Sequence, residues 1–119
     1  RGADNAMKLI KAIIRPEKLS DVRAALEQLD CYHGITITEV MGHGNQKGIT
    51  RSWRGEKYEI DLIPKVMLEL VVKDEDVDTV KTAIIRNAKT GEVGDGKIFV
   101  LNVEEAIRIR TCEKGLVAL

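Results

Sequence analysis

The stretch VMLELVVKDEDVDTVKTAIIRN, residues 66–87, decides the fold. Every second residue from Val66 to Val72 is apolar, which is the pattern of a strand with one buried face. The segment that follows begins with three acidic residues and ends near Arg86, an order of charges that suits the dipole of a helix. We therefore predict a strand over residues 60–72 and a helix over residues 74–87, with Gly91 as a stop signal.

The N-terminal part of the chain repeats this unit. Residues 9–15 are largely apolar and end at Pro16, so they predict a strand. Residues 20–29 carry apolar side chains at the i, i+3, i+4 and i+7 positions of a helix, and Ser20 is a suitable N-cap. Residues 35–40 alternate between apolar and polar residues and predict the second strand.

The C-terminal part completes the pattern. Residues 97–103 predict a fourth strand, residues 105–110 a short fifth strand and residues 112–119 a tail. A long polar loop with several glycines, residues 42–59, joins the two β-α-β halves. This order predicts an α+β fold of the ferredoxin-like type, a double β-α-β antiparallel sheet with two helices on one face. The fold serves many functions, so the function must be argued from the sites.

Length and composition limit the function classes. A chain of 119 residues fits one domain, which we place at residues 7–119, after an extension of residues 1–6 that is either disordered or a remnant of cloning. The 19 basic and 19 acidic residues cancel, whereas a general nucleic-acid or acidic-membrane binder carries a basic excess. No disulfide pattern, secretory signal or spanning apolar run is present. We predict a cytoplasmic protein with no nucleic-acid partner and no direct membrane insertion.

The segment of residues 90–97, TGEVGDGK, can bind an anion. Three glycines let successive backbone N–H groups converge on one negative charge. Gly91, Gly96 and Lys97 match the spacing of a P-loop, but Ile98 stands where Mg²⁺ coordination needs Ser or Thr, and a helix precedes the loop instead of following it. We reject a P-loop NTPase and predict a phosphate cradle. A helix-to-strand turn without a ligand fits the same spacing.

The segment IRIR, residues 107–110, is the second candidate. Alternation in the predicted fifth strand places both isoleucines inward and puts Arg108 and Arg110 on one outward face, roughly 6–7 Å apart. Two guanidinium groups at that distance suit a polyphosphate. The pattern alone favours a solvated strand edge over a ligand site, but together with the glycine-rich segment the pair favours a nucleotide.

The long loop is the third candidate. It opens on GHGNQKG, residues 42–48, which is not the dinucleotide fingerprint because the third glycine comes late and no helix follows. A tryptophan, Trp53, stands among the basic residues Arg51 and Arg54, which is typical of a binding tip. A disordered insertion is the alternative. Since no nucleophile has a recognisable base and no paired carboxylates stand at a catalytic spacing, we predict that the chain is not an enzyme.

Taken together, these segments resemble the PII signal-transduction proteins, the nitrogen regulatory family, in the form with a full-length loop. The resemblance covers residues 7–115. The motifs that carry it, in chain order, are residues 12–16 (AIIRP), 38–40 (TEV), 42–48, 54–55 (RG), Tyr58, 64–65 (PK), 90–91 (TG), 94–100 (GDGKIFV) and 108–111 (RIRT). Each motif is weak alone, but all of them in order are specific.

The resemblance implies a homotrimer with nucleotide clefts between subunits, in which ATP and ADP compete. It implies that Mg²⁺ and 2-oxoglutarate join ATP as effector ligands. The implied nucleotide-binding residues are Ile13, Thr36, Gly42, Gly44, Asn45, Gln46, Val71, Gly94, Asp95, Gly96, Lys97, Arg108 and Arg110. The implied 2-oxoglutarate-binding residues are Gln46, Lys47, Gly48 and Lys65, and Gln46 is also the implied ligand of Mg²⁺. Asn45 departs from the family, which often has an arginine there.

The resemblance also implies partners. The loop, through Arg51, Trp53 and Arg54, would dock onto an ammonium transporter, glutamine synthetase or another nitrogen-metabolism protein. Tyr58 matches a tyrosine that is uridylylated in some bacteria, so a uridylyltransferase is a further possible partner. The loop tip departs from the usual family sequence at Arg51 and Trp53, and Glu56 replaces a serine that cyanobacterial members phosphorylate.

Two other classes share the predicted fold. An acylphosphatase-like small hydrolase would use an arginine, and Arg15 could serve, but the glycine-rich segment and the arginine pair would then have no role. An RNA-recognition module needs aromatic residues on the sheet face and a basic patch. Of the aromatic residues, only Phe99 stands inside a predicted strand, and the net charge is zero.

Overall fold

The computed structural model describes residues 6–43, 49–53, 56–60 and 62–119, and for residues 49–53 and 56–60 it describes the backbone. Residues 1–5 of the predicted extension lie outside this part of the chain. The described elements are β1 (Met7–Ile14), α1 (Leu19–Glu27), β2 (Thr36–Gly42), β3 (Ile49–Trp53), β4 (Glu56–Ile60), β5 (Ile63–Lys73), α2 (Val77–Ala88) and β6 (Lys97–Asn102). Short 3₁₀ turns span Pro16–Lys18, Asp74–Asp76 and Gly115–Ala118.

Four of the strands form one antiparallel sheet in the order β2-β5-β1-β6. The central pair β1 and β5 aligns Ile10 with Leu70 and Ala12 with Leu68. Each helix connects two strands that are not neighbours, which is the crossover that the double β-α-β order requires. The α+β ferredoxin-like prediction is therefore confirmed.

The core lies between the helices and one face of the sheet. It is aliphatic, and Leu26 of α1, Ile84 of α2 and Leu68 of β5 are at most 1% exposed and belong to one cluster. Because both helices contribute to the same cluster, they cover the same face. The alternation along residues 66–72 that predicted this face holds: Val66, Leu68, Leu70 and Val72 are all buried.

The opposite face of the sheet carries both apolar and polar residues, including the ion pair between Lys11 and Glu69. Within a strand successive side chains point to opposite faces, so the register assigns this outer face. Apart from Met7, which is buried, its apolar residues are half-buried or exposed in the single chain, and they are Leu9, Ile13, Val40, Ile63, Met67, Val71, Phe99 and Leu101. Apolar residues exposed in this way are suited to burial against another molecule.

The prediction of one polar loop over residues 42–59 is corrected in part. β2 continues to Gly42, and β3 and β4 pair in register as a second, two-stranded sheet, with Ile49 opposite Ile60 and Trp53 opposite Glu56. Residues 49–53 and 56–60 are rich in β-branched and aromatic residues around a two-residue link that ends in glycine, which favours a hairpin. Because Ile60 belongs to β4, β5 begins at Ile63 and not at residue 60 as predicted.

The predicted fifth strand is wrong. In residues 105–110 the structure has one isolated bridge, between Ile107 and Lys114, and the backbone then turns back with the Cys112 N–H donating to the Arg108 carbonyl at 2.7 Å. Ile107 and Ile109 are 50% and 94% exposed, so the expected inward orientation is wrong as well. Alternation over four residues cannot make a strand without a neighbouring strand to pair with. The predicted tail includes the 3₁₀ turn Gly115–Ala118.

Both helices begin differently from the prediction. A 3₁₀ turn that starts at Pro16 leads directly into α1, so Ser20 lies inside the helix and is not its N-cap. Proline fixes its φ in the helical range, and this favours an earlier start. The acidic residues Asp74–Asp76 likewise form a 3₁₀ turn before α2. None of the helices in the described part of the chain is long and apolar enough to cross a membrane.

Candidate anion-binding site

A groove of about 560 Å³ opens where the ends of β1 and β2 and the start of β5 meet the segment that precedes β6. The residues that line it are Ile13, Gly42, His43, Ile63, Lys65, Glu92, Val93, Gly94, Asp95, Gly96, Lys97 and Phe99. The structure thus brings together predicted ligand residues from four separate parts of the chain: Ile13, Gly42, Lys65, Gly94, Asp95, Gly96 and Lys97.

The glycine-rich segment needs its glycines. Gly91, Gly94 and Gly96 have φ angles of 90°, 101° and 104°, in the left-handed region that other residues rarely adopt. At Gly96 a Cβ atom would lie 1.7 Å from the carbonyl oxygen of Ile13. The segment therefore passes against the backbone of β1 at a point where only glycine fits.

The carboxylate of Asp95 is bonded mainly to its own segment. Its Oδ2 accepts hydrogen bonds from the backbone N–H groups of Thr90 and Gly91, both at 2.8 Å. Its Oδ1 accepts from the Thr90 hydroxyl and, at 3.1 Å, from Nε of Arg15. The hydrogen bonds from Thr90 hold the pKa of the Asp95 carboxyl well below its usual range, with smaller contributions from Gly91 and Arg15.

Arg15 contacts the glycine-rich segment, a role that the sequence interpretation did not assign to it. It directly follows β1, and besides the contact with Asp95 its Nη2 donates to the Val93 carbonyl at 2.8 Å. Arg15 and Asp95 are 80 positions apart, so no local motif contains both. The pairing of β1 with β6, which places Ile13 opposite Lys97, is the feature that brings them together. The acylphosphatase alternative depended on this arginine, whose Nε and Nη2 are both engaged with the glycine-rich segment.

Lys65 connects β5 to the same segment. Its ammonium group donates a hydrogen bond to the Gly94 carbonyl, and the side chain is half-buried in the wall of the groove. Lys97, at the start of β6, also lines the groove and is exposed. Two lysines and the glycine-rich backbone thus surround one groove, together with the carboxylates of Glu92 and Asp95.

Thr36 and Val71, which were predicted to contact the nucleotide, line a different hollow of about 370 Å³ together with Glu69. Thr36 and Gly42 are the two ends of β2, so roughly 20 Å separate them along the strand. A single chain therefore does not bring Thr36 and Val71 to the glycine-rich segment.

The two predicted phosphate-binding arginines lie outside this groove's lining. Arg108 donates to Oε1 of Glu113 at 2.9 Å and to the backbone carbonyls of Val117 and Leu119 at 3.0 and 3.1 Å. Arg110 is exposed. Because residues 105–110 do not form a strand, the expected common face for the two guanidinium groups is not present.

Several predicted residues fall where the structure gives no description. Gly44, Asn45, Gln46, Lys47, Gly48 and Arg54 lie outside the described residues. For Arg51, Trp53 and Tyr58 the structure gives the backbone, which pairs Arg51 with Tyr58 across the hairpin. The roles assigned to these residues stay predictions.

The contacts of Asp95 predict a pH effect on stability. The folded protein holds the pKa of this carboxyl below its unfolded value of about 3.9, so its stabilising contribution is present above pH 4 and is lost as the pH falls further. We expect Asp95→Asn to lower the free energy of unfolding at pH 7 and to have a smaller effect at pH 3. Urea unfolding of both proteins at the two pH values measures this, and an equal difference at both would contradict it.

The structure is thus a small α+β domain whose four-stranded ferredoxin-like sheet presents a glycine-rich segment and two lysines at one groove. The family model described as nitrogen regulatory protein P-II matches residues 7–113 of the chain. The chain therefore belongs to the P-II family of nitrogen regulatory proteins.

Individual relatives are similar to this chain over nearly their whole lengths. Nitrogen regulatory protein P-II 2 of Methanothermobacter thermautotrophicus is 60% identical over 109 residues, which cover 92% of this chain and 94% of that protein. The P-II proteins of Rhizobium meliloti and Escherichia coli K12 (P-II 1) are each 53% identical over 113 residues, 95% of this chain and all of theirs. The chain is thus a nitrogen regulatory signalling protein and not an enzyme.

Proposed function

We propose that the groove binds the phosphates of ATP or ADP. The observation that supports this most strongly is the conformation of residues 90–97: three glycines with positive φ are held against β1 beside Lys65 and Lys97. Backbone N–H groups in such a loop provide fixed donors for phosphate oxygens, and the lysines supply positive charge. The nucleotide acts as an effector ligand and is not turned over.

The complete site would form between subunits of a homotrimer. The residues proposed for the adenine side are Ile13, Thr36 and the strand around Val71. In a single chain Ile13 lines the groove of the glycine-rich segment, but Thr36 and Val71 line a different hollow, so a second copy would supply Thr36 and Val71 to the groove. The apolar residues on the outer face of the sheet are suited to that association. Arg108 and Arg110 would reach the phosphates of a neighbouring chain, for which Arg108 must exchange its contacts with residues 113–119.

With ATP bound, Mg²⁺ and 2-oxoglutarate would complete the site. Phosphate oxygens and the amide oxygen of Gln46 are the hard donors that Mg²⁺ prefers. The two oxygens at the keto acid end of 2-oxoglutarate suit the same ion. Lys65 would pair with the distal carboxylate in place of its contact with the Gly94 carbonyl. Lys47 and Gly48 would line the same pocket. Binding of 2-oxoglutarate would then depend on ATP.

The signal would leave through residues 43–59. In the sequence Gln46 lies near the start of this segment and before the hairpin of β3 and β4, so occupation of the metal site would change which partner the hairpin fits. Arg51, Trp53 and Arg54 would contact an ammonium transporter, glutamine synthetase or another nitrogen-metabolism protein in the cytoplasm. Tyr58 would be the site at which a uridylyltransferase acts.

Calorimetry with light scattering tests this function. We expect Mg-ATP to bind saturably at one site per chain, ADP to compete for that site, and the scattering mass to be that of three chains. A protein that binds neither nucleotide, or a nucleotide-binding monomer, would overturn the proposal of clefts between subunits.

A further inference from the structure

A set of side-chain hydrogen bonds, here called the Arg15–Asp95 clamp, ties the glycine-rich segment to the end of β1. Arg15 donates through Nε to Asp95 and through Nη2 to the Val93 carbonyl. Asp95 accepts in addition from Thr90 and Gly91. The clamp therefore contacts the residues on both sides of Gly94. Through Asp95 it also connects the end of the segment to Thr90 and Gly91 at its start.

The segment needs such a clamp because of its glycines. Glycine populates many backbone conformations, so a free segment of this sequence would lose much entropy when its N–H groups converge on a ligand. A segment that is already fixed loses less, and this strengthens binding. Arg15 is itself fixed, since it precedes Pro16 and its carbonyl accepts a hydrogen bond from the Lys18 N–H at 3.0 Å.

The clamp also affects the charge of the groove. Asp95 lines the groove, and an unpaired carboxylate there would repel a phosphate. The guanidinium of Arg15, 3.1 Å from the carboxylate, offsets this negative charge. Arginine suits this position better than lysine because it reaches the Asp95 carboxylate and the Val93 carbonyl from two different nitrogens.

We propose that the side chains of Arg15 and Asp95 position the anion site: they hold residues 93–96 in the binding conformation and do not contact the nucleotide themselves. The proposal rests on the nucleotide-binding function proposed above. It assigns a role to Arg15, and it gives Asp95 a supporting role where the family resemblance implied a ligand contact.

Hydrogen exchange of the ligand-free protein tests the positioning role without any nucleotide. We expect Arg15→Met to speed exchange of the amides of residues 91–97 by about tenfold or more and to leave the β5 amides unchanged. Arg23→Met is the matched control, because Arg23 forms an exposed pair with Glu27 at 3.4 Å and should alter neither set. Unchanged exchange in residues 91–97 of Arg15→Met would overturn the proposal.

Calorimetry then tests the link to the ligand. We expect the dissociation constant of Mg-ATP to rise about tenfold in Arg15→Met and to stay at the wild-type value in Arg23→Met. Faster exchange with unchanged ATP affinity would also overturn the proposal. If the wild-type protein binds no nucleotide, the proposed function fails and the exchange experiment alone decides on the clamp. If Arg15→Met does not fold, Thr90→Val replaces it in both measurements, because this substitution removes the hydroxyl that donates to Asp95.

Discussion

Gly96→Ala is expected to lower the free energy of unfolding by about 2–4 kcal/mol and to remove measurable binding of ATP. The new Cβ would lie 1.7 Å from the Ile13 carbonyl oxygen, and the obstacle is backbone of the central sheet, which cannot move aside as a side chain can. The φ of 104° adds strain for any residue other than glycine. The glycine-rich segment must then leave the wall of the groove.

Gly91→Ala is the matched control for Gly96→Ala. Gly91 lies in the same segment and has a φ of 90°, but a Cβ there would meet no atom within 4 Å. Gly91→Ala should therefore lower the free energy of unfolding only by the cost of placing alanine at a positive φ, about 1–2 kcal/mol. Urea unfolding and ATP calorimetry on both variants give the comparison. Equal effects of the two substitutions would show that the close approach to β1 has no part in the site.

Lys65→Met is expected to weaken 2-oxoglutarate binding in the presence of Mg-ATP by about 10- to 100-fold, the loss of one charge-assisted hydrogen bond. The affinity for Mg-ATP alone should fall by a smaller factor than the affinity for 2-oxoglutarate, because the backbone N–H groups of residues 94–97 and the charge of Lys97 remain. Methionine keeps much of the apolar stem of lysine, so packing in the groove wall is largely retained.

Lys81→Met serves as the control for Lys65→Met. Lys81 lies on α2 and pairs with Asp78 at 3.3 Å, so its removal changes the net charge by the same amount away from the groove. Calorimetric titration of 2-oxoglutarate into the three proteins separates the two positions. A normal 2-oxoglutarate affinity in Lys65→Met would remove this lysine from the proposed site.

The sequence was sufficient to predict the four strands of the main sheet and both helices, because burial imposes strict periods on strands and helices. The alternation of residues 66–72 and the helical spacing of residues 20–29 each have one buried face, and the structure buries those faces. Element ends were less predictable. A 3₁₀ turn at Pro16 and the hairpin of residues 49–60 depend on local backbone energies that periodicity does not reflect.

The parts of the candidate site that depend on local sequence could be predicted. The parts that depend on tertiary contacts could not. The glycines of residues 91–96 were recognised, since their conformational freedom is a property of the residue type. The role of Arg15 was missed because its partners lie far along the chain. The orientation of Arg108 was missed because residues 105–110 have no partner strand within the described part of the chain, and their backbone turns toward residues 113–119 instead.

The most direct test of the sensor mechanism is calorimetry of 2-oxoglutarate binding to the wild-type protein, first with Mg-ATP and then with Mg-ADP. The proposed site joins 2-oxoglutarate to the nucleotide through Mg²⁺ and Gln46. We therefore predict saturable binding of 2-oxoglutarate in the presence of Mg-ATP and no binding in the presence of Mg-ADP. Binding of equal strength with either nucleotide, or no binding with Mg-ATP, would contradict the proposed coupling between the two ligands.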